Sequence, residues 1–119
     1  MERKKVLLLY RDNKKGKLVN CDNEHQTSKR LCDGFEIVYA ANLRKLFPGM
    51  NLCFVCCDDF NRLSNPYVNY LGTILYGTGY PIQGNICILS ISKDMDGEYL
   101  AGMSLEEARY IKEILDNII

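Results

Sequence analysis

The feature that most constrains this chain is a run near its middle, Leu52-Cys53-Phe54-Val55-Cys56-Cys57, in which every side chain is apolar. A strand with one wet face alternates apolar and polar residues. An unbroken run held between Pro48-Gly49 and Asp58-Asp59 therefore predicts a strand buried on both faces, near the middle of a sheet. The remaining elements must supply its cover. With 119 residues the chain has room for a core without disulfides or metals, and residues 1–119 read as a single domain. A composition of 47% apolar and 25% charged residues excludes disordered and fibrous classes.

Shorter signals place the covering elements. Residues 5–10 predict a strand, residues 11–16 a turn, and residues 17–21 its hairpin partner. The polar stretch 23–32 predicts a helix ended by Asp33-Gly34. Residues 35–40 predict a strand with Phe35, Ile37 and Tyr39 on one side and Glu36, Val38 and Ala40 on the other. Leu43, Leu46 and Phe47 follow at helical spacing, stopped by Pro48-Gly49. Asn65-Pro66 reads as a helix cap followed by proline at the first helical position, with Val68, Leu71 and Leu75 as an apolar stripe and Gly77 as the stop. Strands are expected over 85–92 and 98–101, joined by an Asp96-Gly97 turn. Ser104-Leu105-Glu106-Glu107 is a capping box, opening an amphipathic helix with Leu105, Ala108, Ile111, Leu115 and Ile118 on one face. The expected class is α+β: a single mixed or mainly antiparallel sheet packed by two to three helices, including that C-terminal one.

The chemistry available to such a fold is sparse. The start, Met1-Glu2-Arg3-Lys4-Lys5, is basic, but the apolar stretch 6–10 is too short for a secretory signal and no small-residue cleavage site follows. No apolar run approaches the roughly 20 residues of a membrane-spanning helix. A cytoplasmic protein is expected, and with it reduced thiols at Cys21, Cys32, Cys53, Cys56, Cys57 and Cys87. Cys53-x-x-Cys56 has the spacing of a chelating pair, yet on a strand the two side chains point to opposite faces. Cys53 and Cys57 share a face but stand about 13 Å apart by strand rise. Cys21, His25 and Cys32 form the one trio that could wrap an ion, with Asp22 or Asp33 as a fourth ligand, although their spacing fits no standard zinc template. The same histidine is the single candidate base for thiol catalysis. Asp58/Asp59 and Asp94/Asp96 lie in turns, where aspartate is favoured for backbone reasons. Gly77-x-Gly79-x4-Gly84 runs from a helix into a strand, the wrong polarity for a phosphate cradle. No catalytic residue, metal or cofactor is assigned, and the chain reads as a non-enzyme.

Binding is the better-supported class. Residues 1–46 hold 11 Lys/Arg against 6 Asp/Glu, and residues 47–119 hold 4 against 9. The zero net charge disfavours duplex nucleic acid. The asymmetry reads as solvated faces, as a basic patch for an anionic ligand, or as head-to-tail pairing between protomers. Residues 65–83 concentrate aromatic and amide groups, making Asn65, Tyr67, Asn69, Tyr70, Tyr76, Thr78, Tyr80 and Gln83 the candidate contact residues. Tyrosine offers wide contact area and a hydroxyl at modest entropic cost. The competing reading is that most of these rings simply cover the sheet.

From Phe35 onward the order of features resembles a family of phages, plasmids and their bacterial hosts known as domain of unknown function 3846. The resemblance rests on Phe35-Glu36-Ile37-Val38, the strand and turn over 52–58, Asn65-Pro66 with Leu71 and Leu75, and Pro81-Ile82-Gln83-Gly84-Asn85 leading into residues 86–91. Asp96-Gly97-Glu98 followed by Ser104-Leu105-Glu106-Glu107 completes it, over roughly residues 35–119. Cys56-Cys57 and Gly77-Thr78-Gly79 depart from the pattern. The resemblance implies no catalytic residues and an accessory protein that binds a host factor, including inhibition of an antiviral defence component by protein contact. The alternatives are an oligomeric protein that sequesters a signalling nucleotide and a small metal-dependent or thiol enzyme.

Overall fold

A computed structural model describes residues 5–119; the basic start Met1-Glu2-Arg3-Lys4 lies outside the described residues. In chain order the elements are β1 (Lys5–Tyr10), β2 (Lys17–Cys21), α1 (Glu24–Cys32), β3 (Glu36–Val38), α2 (Ala41–Leu46), β4 (Leu52–Cys56), α3 (Tyr70–Tyr76), β5 (Ile86–Asp94), β6 (Gly97–Ala101) and α4 (Leu105–Asp116). A short 3-10 turn, Phe60–Arg62, follows β4. The apolar run does what its composition demands: β4 is buried at all five positions. Alternation sends Leu52, Phe54 and Cys56 into one core and Cys53 and Val55 into another. The strand order is β2-β1-β5-β4-β3, with β6 pairing β5, and each pairing is antiparallel.

One face of this sheet is covered by α1 and the other by α2, α3 and α4. The sequence predicted two to three helices, and four form, because residues 24–32 and 41–46 both close helical turns. Asn23 caps α1 through its side chain, and Asp33 ends it in the left-handed region. The strand expected over 35–40 shortens to three residues, but its sidedness holds. Phe35 and Ile37 pack on the α1 face, and Val38 and Ala40 on the other. The capping box forms in full, with the Glu107 N–H donating to Ser104 Oγ at 3.2 Å and the Ser104 N–H donating to Glu107 Oε1 at 3.3 Å. Ala108, Ile111 and Leu115 are buried beneath α4, whereas Leu105 at its start and Ile118, two residues past its end, are exposed.

The helix expected from Asn65-Pro66 starts later. Residues 67–69 are held in extended form by non-local partners: the Asn69 N–H donates to the Ile82 carbonyl at 2.8 Å, the Gly84 N–H to the Tyr67 carbonyl at 2.9 Å, and Val68 bridges Gln83. Asn69, not Asn65, is the cap, accepting the Gly72 N–H at 2.9 Å. Val68 therefore leaves the apolar stripe, and Leu71, Gly72 and Leu75 form the buried side of α3. Gly77 ends the helix as expected, in a left-handed conformation with φ of +78° that glycine adopts without strain.

Candidate functional site

The structure divides the tyrosine-rich segment into a structural half and an exposed half. Tyr67 belongs to the first: its hydroxyl accepts the Asp12 N–H at 2.8 Å and donates to Asn85 Oδ1 at 2.6 Å, locking the turn after β1 to the start of β5. Asn69 is buried, its amide donating to the carbonyls of Gly84 at 2.9 Å and Tyr10 at 3.3 Å while its oxygen caps α3. Tyr76 packs half-buried on the three-helix core, and Gln83, half-buried, pairs through its backbone with Val68. Thr78 serves its own loop, its hydroxyl oxygen accepting the Tyr80 N–H at 3.2 Å. Asn65 is exposed in the loop that precedes α3.

Tyr70 and Tyr80 are the rings left to solvent, at 65% and 72% exposure, and Ile74 and Val68 are exposed with them. Two of these, Tyr70 and Ile74, line a cleft of about 290 Å³. Its apolar wall is Tyr70, Leu71 and Ile74 from α3, with Ile118 and Ile119 opposite and Tyr10 at the base; Asn13 and Lys14 complete the lining. The residues after β1 are clamped in position. Asp12 and Asn13 take left-handed conformations that aspartate and asparagine tolerate. Asn13 donates to the Val68 carbonyl at 3.0 Å and accepts the Tyr70 N–H at 2.9 Å. On the far side Asp116 accepts the Tyr10 hydroxyl at 2.9 Å, the Gly16 N–H at 2.8 Å and the Lys112 ammonium at 2.7 Å. Burial alone would raise the Asp116 pKa, but these three donors outweigh it and hold the carboxyl below its ordinary range. Burial, reinforced by that carboxylate, pushes Tyr10 far above the usual phenol range, so Tyr10 stays a neutral donor.

Sequence reasoning picked out Tyr70 and Tyr80 but missed Ile74, Ile118, Ile119 and Lys14. A signal was available: residues 63–92 contain no Asp, Glu, Lys, Arg or His, in a chain where a quarter of all residues are charged. An uncharged stretch that includes exposed rings marks a surface held free of charge.

The thiols are placed as packing groups. All six cysteines are buried and unbridged. Burial pushes Cys53 and Cys56 up to about 12 and Cys21 up to about 11, the opposite of what a nucleophile needs. Cys32 is also raised, by its hydrogen bond to Cys87 Sγ at 3.5 Å and then by burial. Cys21, His25 and Cys32 do not converge: Cys32 turns toward the Val55 carbonyl at 3.4 Å, and the His25 ring stacks on Phe35 with centroids 3.9 Å apart. Among the described residues no three His, Cys, Asp or Glu side chains are grouped to hold one ion. Among the described residues no helix is long and apolar enough to cross a membrane. Comparison of the chain with protein-family models, with curated proteins and with solved structures gives no match.

Proposed function

We propose that this chain is a non-catalytic binding protein whose contact surface is the uncharged face formed by Val68, Tyr70, Ile74 and Tyr80 and the adjoining cleft. One observation carries the reading: the exposed side chains of Tyr70 and Ile74 border an apolar concavity whose walls are held by hydrogen bonds to the Asn13 and Asn69 side chains. Preformed walls lower the ordering cost of association, and exposed tyrosine supplies contact area at small entropic loss. The resemblance of residues 35–119 to a family of phages and plasmids adds the setting: an accessory protein of a mobile element, working in the cytoplasm, whose partner is a host protein such as a defence component. The test is capture from a bacterial host extract by immobilised wild type and by the double variant Tyr70→Glu/Ile74→Glu, whose changed side chains are exposed. A partner retained by wild type and lost from the variant is the expected result. The same proteins recovered by both would remove the surface from consideration.

A second reading is favoured by one juxtaposition. Tyr70 and Lys14 line the same cleft, the pairing of ring and cation that a nucleotide uses. A signalling nucleotide held there at 100 times its dissociation constant stabilises the fold by about 2.7 kcal/mol. A thermal shift across a nucleotide panel measures this directly, and a flat panel eliminates the reading.

A further inference from the structure

The cleft has a complement at the opposite end of the same molecule. The two-residue turn joining β5 to β6 carries Met95, fully exposed, between Asp94 and Asp96, and Glu98 follows on β6. Met95 does not stabilise the turn. That task falls to Asp94, whose carboxylate accepts the Asp96 N–H at 2.8 Å. An uncovered thioether at a hairpin tip, set between carboxylates, has the form of an anchor: flexible, polarisable and able to fill an irregular hollow.

The cleft presents the matching chemistry. Its apolar wall is bordered by the turn after β1, where Arg11, Lys14, Lys15 and Lys17 are exposed and outnumber Asp12. Within the described residues none of these cations forms an ion pair, and neither do Asp94, Asp96 and Glu98. The two ends cannot meet in one chain. Tyr10 sits opposite Ile86, and Asp94 lies eight residues further along β5, about 27 Å away by strand rise. At about 290 Å³ the cleft falls at the small end of ligand pockets, which suits one long side chain on a tight turn better than a helix.

We propose that the turn at residues 94–96 of one copy docks into this cleft on a second copy, with Met95 between Tyr70, Ile74 and Ile118 and with Asp94 and Asp96 facing the Lys14 turn. The inference rests on reading the cleft as a docking face and names an occupant for it. Because the two patches differ, the contact is heterologous: it propagates head to tail and ends either in a closed ring or in an open chain. A single anchor rimmed by exposed charges gives weak association that screens with salt.

Sedimentation of the full chain over a wide concentration range, at low and at high salt, tests this. Expected is an average mass that rises with concentration, falls at high salt, and returns to the monomer in Met95→Asp and in Lys14→Glu/Lys15→Glu. Mixing Lys14→Glu/Lys15→Glu with Asp94→Lys/Asp96→Lys should restore association that neither variant shows alone. A monomeric mass under all conditions overturns the proposal, as does self-association unchanged by Met95→Asp. The capture experiment keeps the two readings apart. A wild type that stays monomeric yet holds a partner in a manner sensitive to Tyr70→Glu/Ile74→Glu refutes self-docking while leaving the docking face intact. Loss of both results removes the face as well.

Discussion

The two faces of the sheet are built to different thickness. On one, three helices lay Leu43, Leu71, Leu75, Ala108, Ile111 and Leu115 over Leu8, Tyr10, Phe54 and Ile88. On the other, α1 alone covers Leu7, Leu9, Val55 and Leu89, and four of the six thiols, Cys21, Cys32, Cys53 and Cys87, fill the space between. A helix that fully buries only Ser28 and Cys32 makes a thin layer, and small sulfur side chains suit it. The thick face has the reverse character: apolar side chains remain uncovered there, Tyr70 and Ile74 on α3 and Ile118 just past α4, all lining the cleft. Cysteine in this chain thus concentrates where the molecule is thin.

Paired substitutions measure that contrast. Phe54→Ala on the thick face should lower the unfolding free energy by about 3–5 kcal/mol, and Cys53→Ala, its neighbour on the thin face, by about 1 kcal/mol, read from urea unfolding. Equal losses would mean that the thin layer is far less tolerant of a vacancy than one missing sulfur atom accounts for. Next in size, Asn69→Ala removes a helix cap and leaves buried carbonyls of Gly84 and Tyr10 without that donor, at about 2–3 kcal/mol. Ser28→Ala loses only a bond to the Glu24 carbonyl of its own helix and should stay within about 0.5 kcal/mol.

A smaller effect concerns pH. Asp116 has its folded pKa held below the unfolded value of 3.8, so the stability it contributes is complete above that value and declines as pH falls through the folded one. Wild type should therefore lose stability in strong acid that Asp116→Asn has already lost at neutral pH. Parallel acid limbs for the two proteins would contradict the clasp. The finest test is thiol labelling under native conditions. Opening of α1 alone exposes Cys32 and Cys87, whereas Cys56 waits for the whole fold, so the first two should label at least about tenfold faster by mass spectrometry. Uniform labelling rates would erase the distinction between the layers.

Features encoded within a few residues were legible before the fold was known. The strand at 52–56, the hairpin of β1 and β2 and the Ser104 capping box each carry their cause in a short window. The late start of α3 does not, because Asn65-Pro66 is a sound local cap that loses to pairing of Val68 with Gln83, fifteen positions on. The candidate site failed in the same manner. Nothing near Tyr67 announces that its hydroxyl will be consumed by Asp12 and Asn85, and nothing near Ile74 announces Ile118 across the cleft. Which rings stay available is decided by partners far along the chain; composition can only nominate them.

The strand order carries a consequence for how such a molecule comes into being. β5 is the shared neighbour of β1 and β4, so a ribosome releases two half-sheets, β2 with β1 and β4 with β3, before the piece that unites them exists. Until then each half keeps an unpaired apolar margin, and closure joins segments more than seventy residues apart. Assembly of this chain is therefore paced by the arrival of its final third, and anything that stalls synthesis just before it leaves two sticky rims waiting side by side.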